Sequence, residues 1–214
     1  MANGKVLTGF SMPWVALYAA NNGTVTYSGG IPLARGVDVS LDIEGASDNE
    51  FWADNVQAET DSQSFSSGTL GLTVDGLKDP ARKMLSGVQN SEDVTVGAGT
   101  TVSFDDYDED AKAPYVGVGF VARYQEDGVE TFVPYIVPKA KFDPAGLEAA
   151  TQDGDETNWQ TQSLSAKIMR DDSAKHRWLR IGAEQTTEAA AVAAYQAVLT
   201  PAASSAASSG ASGY

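Results

Sequence analysis

The chain has 214 residues, with 29 Asp+Glu against 14 Lys+Arg, one His and no Cys. At this length a chain buries about 70% of its unfolded surface, so one core holds without disulfides or a structural metal. Thiol catalysis, iron–sulfur clusters and thiolate zinc sites are excluded, and a net charge of −15 opposes wrapping around nucleic acid or anionic lipid.

Val6–Ala20 follows Lys5 and ends in small residues, the outline of a signal peptide. Thr8, Gly9, Ser11 and Pro13 interrupt its apolar run and favour a folded segment. No run reaches the roughly 18 apolar residues of a membrane helix, and no membrane partner is expected. The lack of Cys fits a reducing compartment, and equally a virion or surface protein that uses no disulfides.

Val15–Tyr18 and Thr24–Tyr27 flank Asn21-Asn22-Gly23, which predicts a hairpin, because Asn-Gly readily takes positive φ. Asn22-Gly23-Thr24 is formally a glycosylation sequon, but the turn accounts for it. Val37, Val39, Leu41 and Ile43 alternate with Asp38, Ser40, Asp42 and Glu44, predicting a strand with one buried and one acidic face. Phe51-Trp52-Ala53-Asp54-Asn55 lies in a less regular stretch. Leu70, Leu72 and Val74 alternate with Gly71, Thr73 and Asp75 as a second half-buried strand.

Asp79-Pro80 opens a short helix, with Asp79 expected as its cap and Gly87 as its stop. Tyr115–Tyr124 and Thr131–Lys139 form the strongest hairpin, turning at Asp127-Gly128. Val116, Val118, Phe120 and Ala122 share one face; Gly117, Gly119, Val121 and Arg123 share the other. That Gly-rich face invites close approach and places the hairpin at a subunit boundary. Pro134 and Pro138 remove two amides on one side of their strand, which is therefore an edge or locally bulged.

Leu164, Ala166 and Ile168 define a strand within Gln160–Arg170, and Arg177–Ile181 a last short one. Thr187–Leu199 reads as an Ala-rich helix with Val192, Tyr195 and Leu199 on one side. Residues 200–214 hold five Ala, five Ser, two Gly and no charge, the composition of a flexible tail. The expected fold is mainly β, an antiparallel β-sandwich or barrel of seven to nine strands with two short helices, over 1–199.

Charge is segregated. Gly36–Leu77 carries nine acids and no base, and Leu85–Ala111 seven acids and no base. Lys167–Arg180 carries five bases against two acids. Opposite-sign surfaces on one chain suit head-to-tail self-association.

Motifs for chemistry are missing. Gly117-Val118-Gly119 lacks the third Gly of a dinucleotide loop, and neither a Gly-Lys-Ser/Thr phosphate loop nor a Gly-x-Ser-x-Gly elbow occurs. His176, between Lys175 and Arg177, reads as a surface residue. Asp105–Asp110 is acidic enough for calcium but lacks Gly at loop position six and Glu at position twelve. Asp153-Gly154-Asp155-Glu156 falls short in the same way. No catalytic, cofactor-binding or metal-ligating residue is assigned, no cofactor is expected, and the chain is read as a non-enzyme. A two-carboxylate hydrolase has no distinguished pair of acids among the 29. Trp14, Trp52, Trp159 and Trp178 leave an alternative, a surface or secreted carbohydrate-binding β-sandwich module that stacks sugars on aromatic rings.

The order of segments then resembles a known family. Ile31-Pro32-Leu33, the acidic strand Gly36–Ile43, Phe51-Trp52-Ala53-Asp54-Asn55, and Gly68–Leu77 with its helix follow one another. Tyr115–Tyr124, Pro138-Lys139-Ala140-Lys141-Phe142 and Thr161-Gln162-Ser163-Leu164 come after. Over residues 1–199 this resembles the major tail proteins, or tail tube proteins, of bacteriophages with long non-contractile tails. The resemblance implies a β-sandwich subunit that forms homohexameric rings, stacked into a hollow tube. It implies as partners other copies of the chain and tail proteins such as the tape measure and tail terminator. The place would be the virion tail, with synthesis in the bacterial host cytoplasm. DNA would pass through the bore without specific binding, and an acidic lumen would repel its about one charge per 1.7 Å of axis.

Overall fold

The computed structural model describes residues 4–45, 49–53, 56–61, 65–97, 99–144, 146 and 160–200, with 49–53 and 56–61 as backbone alone. The fold is mainly β, antiparallel and sandwich-like, with two short helices. Eight strands form the main sheet, in the order β2 (Thr24–Pro32), β1 (Val6–Asn21), β9 (Tyr115–Glu126), β10 (Val129–Phe142), β11 (Gln162–Met169), β6 (Ser67–Val74) and β3 (Gly36–Glu44). The eighth, β12 (Arg180–Ile181), pairs with β10 beside β11. Two further hairpins stand outside this sheet: β4 (Asn49–Ala53) with β5 (Val56–Asp61), and β7 (Asn90–Val96) with β8 (Thr100–Asp106).

The Asn-Gly and Asp-Gly turns form as the sequence predicts. Asn22 and Gly23 take φ 47° and 76°, and Asp127 and Gly128 take 49° and 82°. Positive φ at both central residues matches the right-handed twist of the strands on either side. The N-terminal segment is the 16-residue strand β1, bent by register shifts at Leu7/Gly9, Ser11/Trp14 and Val15/Leu17.

The sheet folds over so that β3 lies against β1, with the Phe10 ring packed on Gly36. Between its two arms, Val15, Val116, Val118, Phe120, Val137 and Ala140 meet Leu70, Leu72, Val74, Leu164, Ala166 and Ile168. Each such aliphatic or aromatic side chain contributes roughly 1.5–3 kcal/mol on burial. Helix α1 (Asp79–Ser86) closes one end with Ala81 and Leu85. Gly87 ends it at φ 69°, where its amide reaches Lys83 O at 2.9 Å and the Lys112 carbonyl leaves no room for a Cβ.

Several expectations are corrected. Asp79 does not cap α1: the N-cap is Lys78, without a side-chain bond, and Asp79 pairs with Arg82 at 2.6 Å inside the first turn. Phe51–Ala53 belongs to the β4–β5 hairpin, and the acidic stretch after α1 forms the unexpected β7–β8 hairpin, which makes twelve strands among the described residues. The face of Val37 and Ile43 is only partly covered, because β3 is an edge strand. The last strand is cut to Arg180–Ile181 because the Asp171 carboxylate draws the amides of Ser173 and Arg177 into a closed loop.

The proline strand β10 is not an edge. Pro134 lies where β12 pairs, its carbonyl accepting from Gly182 N at 2.8 Å, and Pro138 sits in the bulge between Val137 and Ala140. The bulge places Pro138 between the stretches of β10 that pair with β12 and β11. The Gly-rich face of β9 is covered from within the chain by helix α2 (Glu188–Leu199), not by another subunit. Ala191, Tyr195 and Leu199 are its buried residues, and Val192 is half-buried beside them. The segment 201–214, expected as a tail, lies outside the described residues.

Candidate assembly surfaces

The sheet has one covered and one uncovered outer half. Over β1, β9 and β10, α2 lays Tyr195 and Leu199 on Gly117 and Gly119. A Cβ at Gly119 would stand 2.8 Å from both Leu199 Cδ1 and Tyr195 Cδ2. The helix is fixed by Thr187, whose hydroxyl accepts from Ala190 N at 3.3 Å, and by Tyr195, whose hydroxyl donates to Met12 O at 2.8 Å. A hydrogen bond from Ser11 to Glu188 ties its first turn to β1.

Over β11, β6 and β3 no described element lies on the outer face. Alternation sends Leu164, Leu72 and Leu41 inward and leaves a polar face of small residues. Its rows read Ser163–Thr73–Asp38, Ser165–Gly71–Ser40 and Lys141–Lys167–Thr69–Asp42. Acids therefore line β3, and two lysines face each other across β10 and β11. Directly opposed like charges destabilise a ladder, so Lys141 and Lys167 gain from an anionic neighbour. Strands β2 and β3 each have a free edge among the described residues.

The β7–β8 hairpin is exposed almost throughout. Its register, Glu92↔Phe104, Val94↔Val102 and Val96↔Thr100, puts Val94, Val96, Val102 and Phe104 on one face. They are 40–53% exposed. An ion pair from Lys83 to Asp105 at 2.6 Å anchors its base to α1. Asn90 donates to Asp108 at 2.7 Å, and this bond, with the amides of Asp110 and Ala111, holds the Asp108 carboxyl below the usual carboxylate range. Within the acidic run Asp105–Asp110, Asp108 thus braces a turn and Asp105 pairs with Lys83. Among the described residues no group of three or more His, Asp and Glu is placed to hold a metal ion.

The loop after β11 gathers polar contacts around Asp171, which is 3% exposed and takes Ser173 N, Ser173 Oγ and Arg177 N. Beside it, Asp172 accepts from Lys139 and from the Tyr18 hydroxyl, both at 2.7 Å. These partners, Lys139 first, hold the Asp172 carboxyl below its ordinary value. Burial, reinforced by Asp172, pushes the Tyr18 phenol up to about 12. His176 is exposed at φ 46°, with Nδ1 3.2 Å from Asp171 O, as a turn residue.

Trp14 and Trp178, the two tryptophans whose side chains are described, lie on different sides of the sheet. Trp14 packs on the α2 side, whereas Trp178 stacks on Phe65 at 4.8 Å against the inner core. The side chains of Trp52 and Trp159 lie outside the described residues. An apolar hollow of about 180 Å³, lined by Leu7, Val39, Leu41, Phe120, Tyr124 and Tyr135, opens between β1 and β3. Its only side-chain hydrogen bond joins the Tyr124 and Tyr135 hydroxyls at 2.9 Å, and burial raises the Tyr135 phenol to about 12.

No protein-family model matches the chain, and no curated protein matches its sequence.

Proposed function

We propose that the chain is a structural subunit that assembles with itself into homohexameric rings. The rings stack into a tail tube of the kind that carries a phage genome out of its virion. The observation that supports this reading is the unfinished surface: among the described residues β2 and β3 have free edges and an apolar hairpin has no cover. Such edges and patches are a liability in a monomer and are removed when subunits join into a closed barrel. The β3 border of this outer face, where Asp38, Asp42 and Glu44 line up across the sheet from Lys141 and Lys167, suits the wall of a bore. Acids there repel phosphate and let DNA slide without being held. Other tail proteins, the tape measure and the tail terminator, would set length and end.

Negative-stain microscopy of the purified chain tests this directly. Six-fold rings or tubes are expected, together with no tight duplex-DNA complex in a gel shift at about 0.15 M salt. A monomer at every concentration, coupled with its absence from tubes in particles, overturns the reading.

A further inference from the structure

A two-stranded hairpin is at best marginally stable alone in water; it needs a third strand or a packed face. Among the described residues the apolar face of β7–β8 has neither. The acids Glu92 and Asp106 share that face with Val94, Val96, Val102 and Phe104, and no base lies between Leu85 and Ala111. Its complement is therefore apolar and basic.

One surface of the same chain has that character. Between α2 and the β10–β12 ladder run two adjoining clefts of about 190 Å³ and about 120 Å³, which share Arg180 and Val198. Val25, Pro138 and Ile181 add apolar wall, and Arg177 adds a second guanidinium. Ile181 is 57% exposed. Neither arginine forms an ion pair with a described residue. The one acid in the lining, Asp171, is spent on its own loop. This cleft follows the stretch of β10 around Pro138, where neither β12 nor β11 pairs.

We propose that the β7–β8 hairpin of one copy seats its Val94–Phe104 face in the α2–β12 cleft of the next. The proposal rests on the self-assembly reading above and names its repeating contact. Each copy offers one hairpin and one cleft, so the contact is heterologous and propagates into a closed ring or a continuing stack. Charge complementarity sets its register, and apolar burial supplies its attraction.

The absence of Cys makes the test clean. Phe104→Cys and Ile181→Cys alter exposed positions, and circular dichroism checks each fold. Mixed and treated with a short bis-maleimide, the two variants should give a linked pair containing one of each. The Phe104→Cys variant alone, and its mixture with Leu7→Cys in the rival hollow, should link at least tenfold less. As a second measurement, Glu92→Arg and Arg180→Glu should each weaken self-association at least tenfold, and their mixture should restore it. Preferential Phe104–Phe104 or Phe104–Leu7 linkage overturns the proposal. So does unchanged wild-type-like assembly of the charge variants, which leaves the self-assembly reading standing. A wild-type chain that is monomeric at every concentration and absent from tubes in particles overturns both.

Discussion

The hairpins β9–β10 and β7–β8 obey the same local rules and meet opposite fates. Both are antiparallel, both turn at glycines with positive φ, and both carry alternating apolar residues. In β9, Val118 and Phe120 face the inner core while Gly119 and Val121 face α2, so both sides are buried. In β7–β8 neither side is. The difference lies in what the rest of the chain brings to each. For β9 the chain returns about 70 residues later with a helix whose Tyr195 and Leu199 pack on its glycines. For β7–β8 the described residues bring contacts at the base, Lys83 to Asp105 and Asp108 to Asn90, and nothing to the apolar face. Stability is thus concentrated in the first hairpin, and the second is left available for a partner.

Breaking the covered hairpin should have the largest effect. Tyr195→Ala removes a fully buried ring and its bond to Met12 O, and should lower the unfolding free energy by about 3–5 kcal/mol in a urea titration. Gly119→Val drives a side chain into Leu199 and Tyr195 and should cost about 1–3 kcal/mol in the monomer. A Gly119→Val monomer as stable as wild type would mean that α2 does not press on this face.

The uncovered hairpin should hardly respond in the monomer. Val94→Thr with Val102→Thr should change monomer stability by no more than about 0.5 kcal/mol, since both side chains are already in water. A larger loss in thermal melts of dilute protein would show that the hairpin is packed within its own subunit.

The smallest expected effect sharpens the comparison at the rim of the covered half. Asp172 is held ionised by Lys139 and Tyr18, so its contribution is full above the ordinary carboxylate pKa and is lost as pH falls through and below it. Tyr18 runs the other way: its phenol is raised from 10.0 to about 12, so its contribution is full below pH 10 and lost as pH rises towards 12. Asp172→Asn should flatten the acid limb of a stability–pH curve, and Tyr18→Phe should flatten part of the alkaline limb. Limbs unchanged by either variant would remove this contact from the account.

Much of the local structure was legible in the residues. Asn22-Gly23 and Asp127-Gly128 fixed their hairpins because the turn demands positive φ. Leu70, Leu72 and Val74, and Leu164, Ala166 and Ile168, marked inward faces because a strand alternates with period two. Gly87 marked a helix end. The β7–β8 strands were hidden because each holds only two apolar residues, set among acids and hydroxyls. Asp171 gave no signal either, since its role depends on amides that only the folded loop turns inward.

By itself the sequence determined the fold class, the turns, the inward faces and the segregation of charge, because each follows from φ preferences, side-chain periodicity or counting. Tertiary structure alone decided which faces found cover. Gly117 and Gly119 permit close approach by anything, and only the return of α2 settled that the occupant is this chain's own helix. Pro134 and Pro138 forbid a full ladder, and only the bulge and the short β12 resolved that as an interrupted interior strand. Val94, Val96, Val102 and Phe104 look like any strand's apolar face, and only the architecture left them in water. Burial is a property of what arrives from elsewhere in the chain, and no local pattern encodes it.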